Sequence, residues 1–521
     1  MTSKNKKWIK RLTVVILFFL ALSVLSNIYI KSKINAAITK LPGHVQLNYK
    51  GISVNSIAGN VSIEEPIIKV FNAHSKQLEV EAKGLGLKVR GASIWNYLVH
   101  KEIIIDQIKF EDFKINHINN KDSIVSTKPD FDLSHLGHDL SVDKISFENT
   151  EIKSQASNED AIFSLKNLNL DLLGFKLNQP SKDSIAPISV EGYDGYLNEF
   201  VFRSSPYEDM LIDTILIKGK QLIATKFQLK TRYSRRELSS LLKTERDHFD
   251  IVAESVVFDD LNMGMTASER FFFSSQHVSI SNPRIDVFRD KLVNDSYKIK
   301  PLYGKMLRDL KMEMSIDTLN IVNGNLSYSE KVKTENKGGQ LDFENLNSTV
   351  LNLGNTYGKD TTAIAISAEF MKHSPIDINW KFVVQNPSDD FSFSGELDYF
   401  KVDEISQFSR PNLNVEFRGD LKKTYFNING NPYVSDIDLK SNFENFRVVI
   451  LKKNGKEKNK FLSGLVNMFV STNSDNDPKE FYYGNINNIE RDRTKSIFNF
   501  VWKNIEAGLV SAMTGSGKKK N

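Results

Sequence analysis

The chain has 521 residues, 40% hydrophobic and 26% charged, a mixture that excludes wholesale disorder and fits about three domains or one extended array. The absence of cysteine excludes disulfides, thiolate metal sites and cysteine nucleophiles, and 13 Pro with 27 Gly are too few for a collagenous or linker-like chain. The net charge of +5 sits at the ends: residues 1–11 carry five basic side chains and no acid, residues 514–521 carry three lysines, and the remainder is left at −3, with no electrostatic footprint for nucleic acid.

Leu12–Ile30 is a run of 19 residues without a charge. As a helix it would span about 28 Å, enough for a bilayer core of about 30 Å. Lys4, Lys6, Lys7, Lys10 and Arg11 precede it, so the positive-inside bias places residues 1–11 in the cytoplasm and the rest outside. Trp8 and Tyr29 flank it as interfacial aromatics. The alternative is a cleaved signal peptide, but its apolar core would be about 7–15 residues, and Ala21-Leu22-Ser23 lies inside the run, not after it. The expectation is a single-pass anchor.

Residues 31–490 read as an exported β-rich body. Short alternating strands with turn residues between them run from Val45 to Gly455. A pattern recurs: an acid, apolar residues two and four places on, and another nine places on. The acids are Asp106, Asp143, Asp213, Glu254 and Asp317. The apolar pairs are Ile108 and Phe110, Ile145 and Phe147, Ile215 and Ile217, Val256 and Phe258, Leu319 and Ile321. Alternate residues share a strand face, so each pair lines one face with its acid at the rim, in a structural and not a catalytic role. Polar dipeptides follow at Glu111-Asp112, Glu148-Asn149, Lys218-Gly219 and Asn323-Gly324, and predict chain reversals into return strands. The acids are spaced by about one or two units of roughly 35 residues.

Two further repeats support an internal duplication, about 45–270 and 271–490. Val61–Phe71 matches Val278–Phe288 at seven of eleven places, and Phe163–Leu172 resembles Leu341–Val350. The polar stretches 120–130, 329–340 and 473–479 predict loops. Helical spacing is confined to Ser234–Phe249, Phe461–Val470 and Lys495–Met513. Residues 491–521 are therefore expected to form an amphipathic helix and a basic tail. Phe498, Val501, Trp502, Ile505 and Leu509 form its apolar stripe, which either caps the sheet or rests on a membrane or partner. Lys518–Lys520 read as a solvated tail or as a contact with anionic headgroups.

Chemistry-bearing motifs are sparse. His135 and His138, with Asp132 and Asp139, lack the glutamate base and helical context of a metalloprotease and read as a solvated loop. Asp475-Asn476-Asp477 lacks the remaining ligands of a calcium loop. There is no Gly-rich phosphate loop and no nucleophile elbow, so no catalytic, metal or cofactor site is expected. Phenylalanine numbers 34 against four tryptophans, often in alternation as in Phe391–Phe400. Such strands build either a conventional sandwich core or a sheet whose apolar face receives acyl chains.

With its anchor at Leu12–Ile30, the approach Tyr49–Val70, the recurring acid-led strands, the Asn-Leu-Asn segments at 167–169 and 345–347 and the ending Phe500–Leu509, the chain resembles the AsmA-like proteins, relatives of TamB and of bridge-like lipid-transfer proteins. The resemblance implies a mainly β fold. It would be an elongated, curved, taco-like antiparallel groove anchored in the bacterial inner membrane and projecting into the periplasm. It implies phospholipid or another acyl lipid as ligand and a part in outer-membrane phospholipid transport and envelope integrity, with outer-membrane or other envelope proteins as further partners. The rival readings are an envelope assembly or scaffold protein working through β-edges and helix contacts, and an anchored hydrolase using carboxylates whose pairing the sequence does not reveal.

Overall fold

The structure is a computed structural model that describes residues 23–36, 38–39, 41–72, 74–93, 96–97, 100, 102–119, 139–156, 161–177, 188–266, 270–452 and 481–514. The fold is mainly β and its strands pair mostly antiparallel. Two compact units are present, Met1–Arg203 with Met210–Ala224, and Ser204–Asp209 with Thr225–Asn521. Of the expected membrane span, Ser23–Ile30 lie in a helix over 23–36, and Leu12–Leu22 lie outside the described residues. Among the described residues no helix is long and apolar enough to cross a membrane. His135, His138, the segment 461–470 and the acids at 475–477 also lie outside them.

The first unit is built from short strands: β1 (Val45–Asn48), β2 (Gly51–Asn55), β3 (Asn60–Glu64), β4 (Ile67–Phe71), β5 (Leu78–Lys83), β6 (Gly86–Arg90), β7 (Ile103–Glu111) and β8 (Lys114–Asn119). Longer strands follow: β9 (Leu140–Ala156), β10 (Ala161–Leu177), β11 (Ile188–Ser189) and β12 (Gly192–Arg203). The chain then passes through β13 (Glu208–Gly219) and β14 (Gln221–Thr231). β2, β3, β6 and β7 pair in that order, as do β1, β4, β5 and β8. β7 and β8 both lie parallel to β9, which continues antiparallel to β10 and then β12.

This arrangement corrects three of the expected reversals. β7 and β8 form one line, interrupted at Asp112-Phe113 and continuing in the same direction along β9. β9 runs unbroken through Glu148-Asn149, and the long strand Glu313–Lys331 runs through Asn323-Gly324. A tight hairpin turn of the Asn-Gly kind needs positive φ at two successive residues. Here Asn323 alone has it (φ 54), as do Asp112 (φ 52) and Asn149 (φ 47). One left-handed residue inserts a bulge and a bend in place of a turn. The residues nine places after Asp106, Asp143 and Asp317 therefore lie farther along the same strand line. Lys218-Gly219 differs: Gly219 (φ 58) ends β13.

The bends are held by a polar ladder. The Asn149 side-chain amide donates to Asp112 Oδ1 at 2.6 Å, and the Asn149 backbone N–H donates to Asn169 Oδ1 at 3.1 Å. Asn169 in turn donates to the carbonyl of Asn167, itself left-handed (φ 49). Beside the ladder, the Phe113 ring is 1% exposed and covers Gly84, where a Cβ would meet it at 2.3 Å.

The second unit contains β15 (Asp247–Asp259), β16 (Asn262–Met265), β17 (Phe271–Ser281), β18 (Arg284–Asp290), β19 (Glu313–Lys331), β20 (Gly339–Gly354), β21 (Thr361–Phe370), β22 (Ser374–Val383) and β23 (Phe391–Leu397). β24 (Phe400–Lys401), β25 (Val415–Gly430), β26 (Val434–Ile450) and β27 (Tyr482–Glu490) complete it. β17 and β18 lie parallel to β19, as β7 and β8 do to β9, and β19 pairs antiparallel with β20. The ladder recurs as well. Asn323 donates to Asn282 Oδ1, its backbone N–H donates to Asn347 Oδ1, and Asn347 donates to the carbonyl of Asn345. The repeated Asn-Leu-Asn segments thus hold equivalent places in the two units.

From β20 the sheet runs antiparallel through β21, β22, β23, β25, β26 and β27. Its two buried apolar clusters involve residues between Leu302 and Met513 and include the C-terminal helix Ile497–Met513. The expected helix over Ser234–Phe249 is only Arg235–Leu241, closed by a capping box between Ser234 and Glu237; His248 and Phe249 belong to β15, where pairing with β18 overrides the helical spacing.

Candidate functional site

Register, more than any single motif, assembles the candidate site. In the first unit two apolar rows cross the sheet. One runs Ile52–Ile63–Leu87–Phe110–Phe147–Leu170, the other Val54–Val61–Val89–Ile108–Ile145–Leu172, each neighbour a direct cross-strand partner. Phe110 and Phe147 stack with centroids 5.0 Å apart and planes 8° from parallel. Apart from Ile52 and Ile63, every member of both rows is only half-buried.

The opposite face of the same strands carries ion pairs beside the buried apolar pair Ile105 and Val142. Lys88 and Lys109 bridge Glu111 at 2.6 and 3.1 Å, Lys109 reaches Glu148 at 2.7 Å, and Lys144 reaches Asp171 at 2.9 Å. The hydrogen bond to Glu148 raises the Lys109 ammonium above its ordinary value. Burial opposes the charge on Glu111, but Lys88 and Lys109 outweigh it and lower that carboxyl. Ion pairs on one face and a half-open hydrocarbon row on the other give the sheet two chemically distinct sides.

The second unit repeats the two rows over a longer sheet. One runs Phe258–Val278–Leu319–Val350–Ile364–Trp380–Phe393–Ile428–Ile437–Ile486. The other starts Val256–Ile280–Ile321–Ser348–Ile366–Ile378. Val256, Phe258, Leu319 and Ile321 are half-buried. From Trp380 to Ile437 the first row is buried within the cluster that includes the C-terminal helix.

The ten strand residues singled out from sequence therefore sit as follows. Ile108, Phe110, Ile145 and Phe147 form one continuous patch, and Val256, Phe258, Leu319 and Ile321 join a second through Ile280 and Val278. Ile217 is half-buried on β13, and Ile215 is buried there at 9% exposure. Asp106, Asp143, Asp213, Glu254 and Asp317 are exposed. The intervening row members Val61, Leu87, Val89, Leu170 and Leu172 were not singled out. Alternation marked them as strand residues, but only pairing shows which rows they complete.

The C-terminal helix docks through part of its apolar stripe, Val501, Ile505 and Leu509, and leaves Phe498 and Trp502 outside. Ile497, Phe500, Val501, Asn504, Gly508, Ser511 and Ala512 are buried, Ile505 and Leu509 pack partly, and Phe498 and Trp502 stay 59% and 41% exposed. The reason is steric. At Gly484 a Cβ would meet the Gly508 carbonyl oxygen at 1.9 Å, so helix and β27 touch backbone to backbone, and only a face of small residues permits that. The buried amide of Asn504 is satisfied by Ser435 Oγ, which donates at 2.9 Å, and by the Phe500 carbonyl.

An ion-pair knot fixes the approach to this helix. The Glu245 carboxylate, fully buried, meets Lys291 at 2.7 Å and Lys495 at 3.5 Å, and Lys495 also bridges Asp295 at 2.8 Å. Arg289 pairs with Asp247 at 2.6 Å through two parallel hydrogen bonds. Burial disfavours the Glu245 charge, but Lys291, Arg289 and Lys495 together hold its carboxyl below the ordinary value. Among the described residues no group of three or more His, Asp or Glu side chains is placed to hold a metal ion. No family model matches the chain, and neither a curated protein nor a solved structure matches it.

Proposed function

We propose that this protein is a membrane-anchored, non-enzymatic lipid carrier of the bacterial envelope, whose apolar sheet faces shelter acyl chains while headgroups stay wet. The observation that carries this reading is the half-open double row through Ile108, Phe110, Ile145 and Phe147, set against the ion-paired opposite face. Each methylene moved from water onto such a surface contributes about 0.8 kcal/mol, so a chain lying along several row positions is held without a polar pocket. Near-uniform hydrocarbon along a row also leaves little barrier to sliding.

In this reading the bent sheets form an elongated groove, residues 1–11 face the cytoplasm, Leu12–Ile30 anchor the chain in the inner membrane, and the body works in the periplasm as the AsmA-like resemblance implies. The test is lipid analysis of the purified full chain: phospholipid at a fixed molar ratio supports the carrier, and a lipid-free protein that takes up none from vesicles rejects it. The second reading is an assembly or scaffold protein. The outward Phe498 and Trp502 favour a helix contact with another envelope protein, and crosslinking from position 502 tests it.

A further inference from the structure

The turn between β27 and the C-terminal helix, Arg491-Asp492-Arg493-Thr494-Lys495, gathers positive charge that its neighbours leave unbalanced. Arg491 is 7% exposed. Its Nη2 donates to the Lys300 carbonyl at 2.8 Å and to the Lys495 carbonyl at 3.4 Å, and its backbone N–H donates to the Tyr433 carbonyl at 2.8 Å. The side chain is thus fixed between segments of the second unit, yet its Nε is buried and meets no acceptor. Arg493 stands close by. Its guanidinium lies 4.6 Å from the centroid of the Tyr433 ring, and its Nε is likewise buried without a partner. Lys300 ties the two together: its carbonyl accepts from Arg491, and its backbone N–H donates to the Arg493 carbonyl at 2.8 Å. The acids around this turn are engaged elsewhere. Asp492 accepts from the backbone N–H and hydroxyl of Thr494, Asp295 bridges Lys495, and Glu245 faces Lys291 and Lys495. Among the described residues neither Arg491 nor Arg493 forms an ion pair.

A buried guanidinium without an anion is costly, and carbonyl dipoles offset only part of that cost. Burial and the neighbouring Arg493 charge push the Arg491 guanidinium below its ordinary value. Other arginines of the same unit are satisfied by carboxylates, Arg289 by Asp247 and Arg308 by Asp389. Two planar forks with N–H groups to spare match the oxygens of a phosphate, which accepts several charge-assisted hydrogen bonds at once. The pair also has an open side, since Arg493 is half-buried and Tyr433 is 60% exposed. We propose that Arg491 and Arg493 form a binding site for a phosphate group, with Arg491 as the inner donor and Arg493 as the outer one. A phospholipid headgroup and a soluble phosphate ester share this chemistry. The headgroup source deepens the lipid-carrier reading and rests on it, whereas the soluble source does not need it.

The test is calorimetric titration of the full chain in a neutral detergent with inorganic phosphate, with a water-soluble short-chain phosphatidic acid, and with acetate as the charge control. Inorganic phosphate is expected to bind and acetate is not. Arg493→Gln is expected to weaken phosphate binding about tenfold or more, and Arg493→Lys, which keeps the charge but loses the fork, to recover only part of it. Arg491→Gln is expected to abolish binding; should that variant fail to fold, the two changes at the half-buried Arg493 carry the test. An Arg493-dependent affinity for phosphatidic acid about tenfold or more above that for inorganic phosphate identifies the headgroup source, through added acyl contact. Equal or tighter binding of inorganic phosphate identifies the soluble ester. Failure of inorganic phosphate to bind, equal binding of acetate, or unchanged affinity in Arg493→Gln overturns the site. A chain that binds phosphate but carries no lipid rejects only the carrier reading, and one that carries lipid but ignores phosphate rejects only the arginine site.

Discussion

Phe147→Asp places a charge in the middle of the first unit's apolar patch. Phe147 stacks on Phe110 and is the cross-strand partner of Leu170, and the patch is half-open. An acyl chain crossing this point loses contact for about two methylenes, roughly 1.6 kcal/mol, and further meets a carboxylate that resists desolvation. A total of at least about 2 kcal/mol corresponds to roughly 30-fold weaker binding. The cost to folding is smaller than for a core site, because the ring is only half-buried: about 1 kcal/mol for the lost stacking and a similar amount for lost burial. The assay is phospholipid recovered per mole of protein, with circular dichroism to confirm the fold. Ser62→Glu is the control, since Ser62 lies on the opposite face of β3 and should leave lipid yield unchanged. Equal lipid recovery from Phe147→Asp and the parent, or an equal loss in the control, would refute the reasoning.

Ile217→Asp is expected to lower lipid yield in the same way with the strands intact, read by the same extraction. Asn347→Ala removes the acceptor for the Asn323 backbone N–H and should cost about 1–2 kcal/mol in denaturant unfolding, and Asn169→Ala should cost a similar amount through Asn149. Because the Glu245 carboxyl is lower in the folded protein than in the unfolded chain, its stabilisation is complete above about pH 4.5 and is lost as pH falls through the folded value. Glu245→Gln should therefore lower stability near neutrality and flatten the acid limb of the melting curve; an unchanged acid limb would show that the knot does not govern acid stability. Gly484→Ala should push the C-terminal helix off β27 and speed its amide exchange, because the added Cβ meets the Gly508 carbonyl.

The recurrence of Asn-Leu-Asn was visible as a repeat but not as a device. A left-handed asparagine serves a two-residue turn and a one-residue bulge equally well, and the outcome depends on whether the following residue also turns left-handed. At Asn323-Gly324 it does not, because Gly324 is held in β19, packed against Pro283 and paired with Leu346. The C-terminal helix shows the same division. Its limits were legible from periodicity, and Ser496 caps it by accepting from the Asn499 backbone N–H. Its buried face was legible only in part: Val501, Ile505 and Leu509 of the apolar stripe pack inward, whereas Phe498 and Trp502 are left outside where Gly484 and Gly508 bring two backbones together.

Local chemistry alone therefore settled the β alternation, the acids beside each apolar pair and the helix at the C-terminal end, since each is a property of neighbours along the chain. The cross-strand rows, the asparagine ladders, the choice of helix face and the meeting of Glu245 with Lys495, 250 residues away, were decided by tertiary structure. Pairing register and burial are energies of residues far apart in sequence, and a one-residue slip would turn the same alternating strand to its other face.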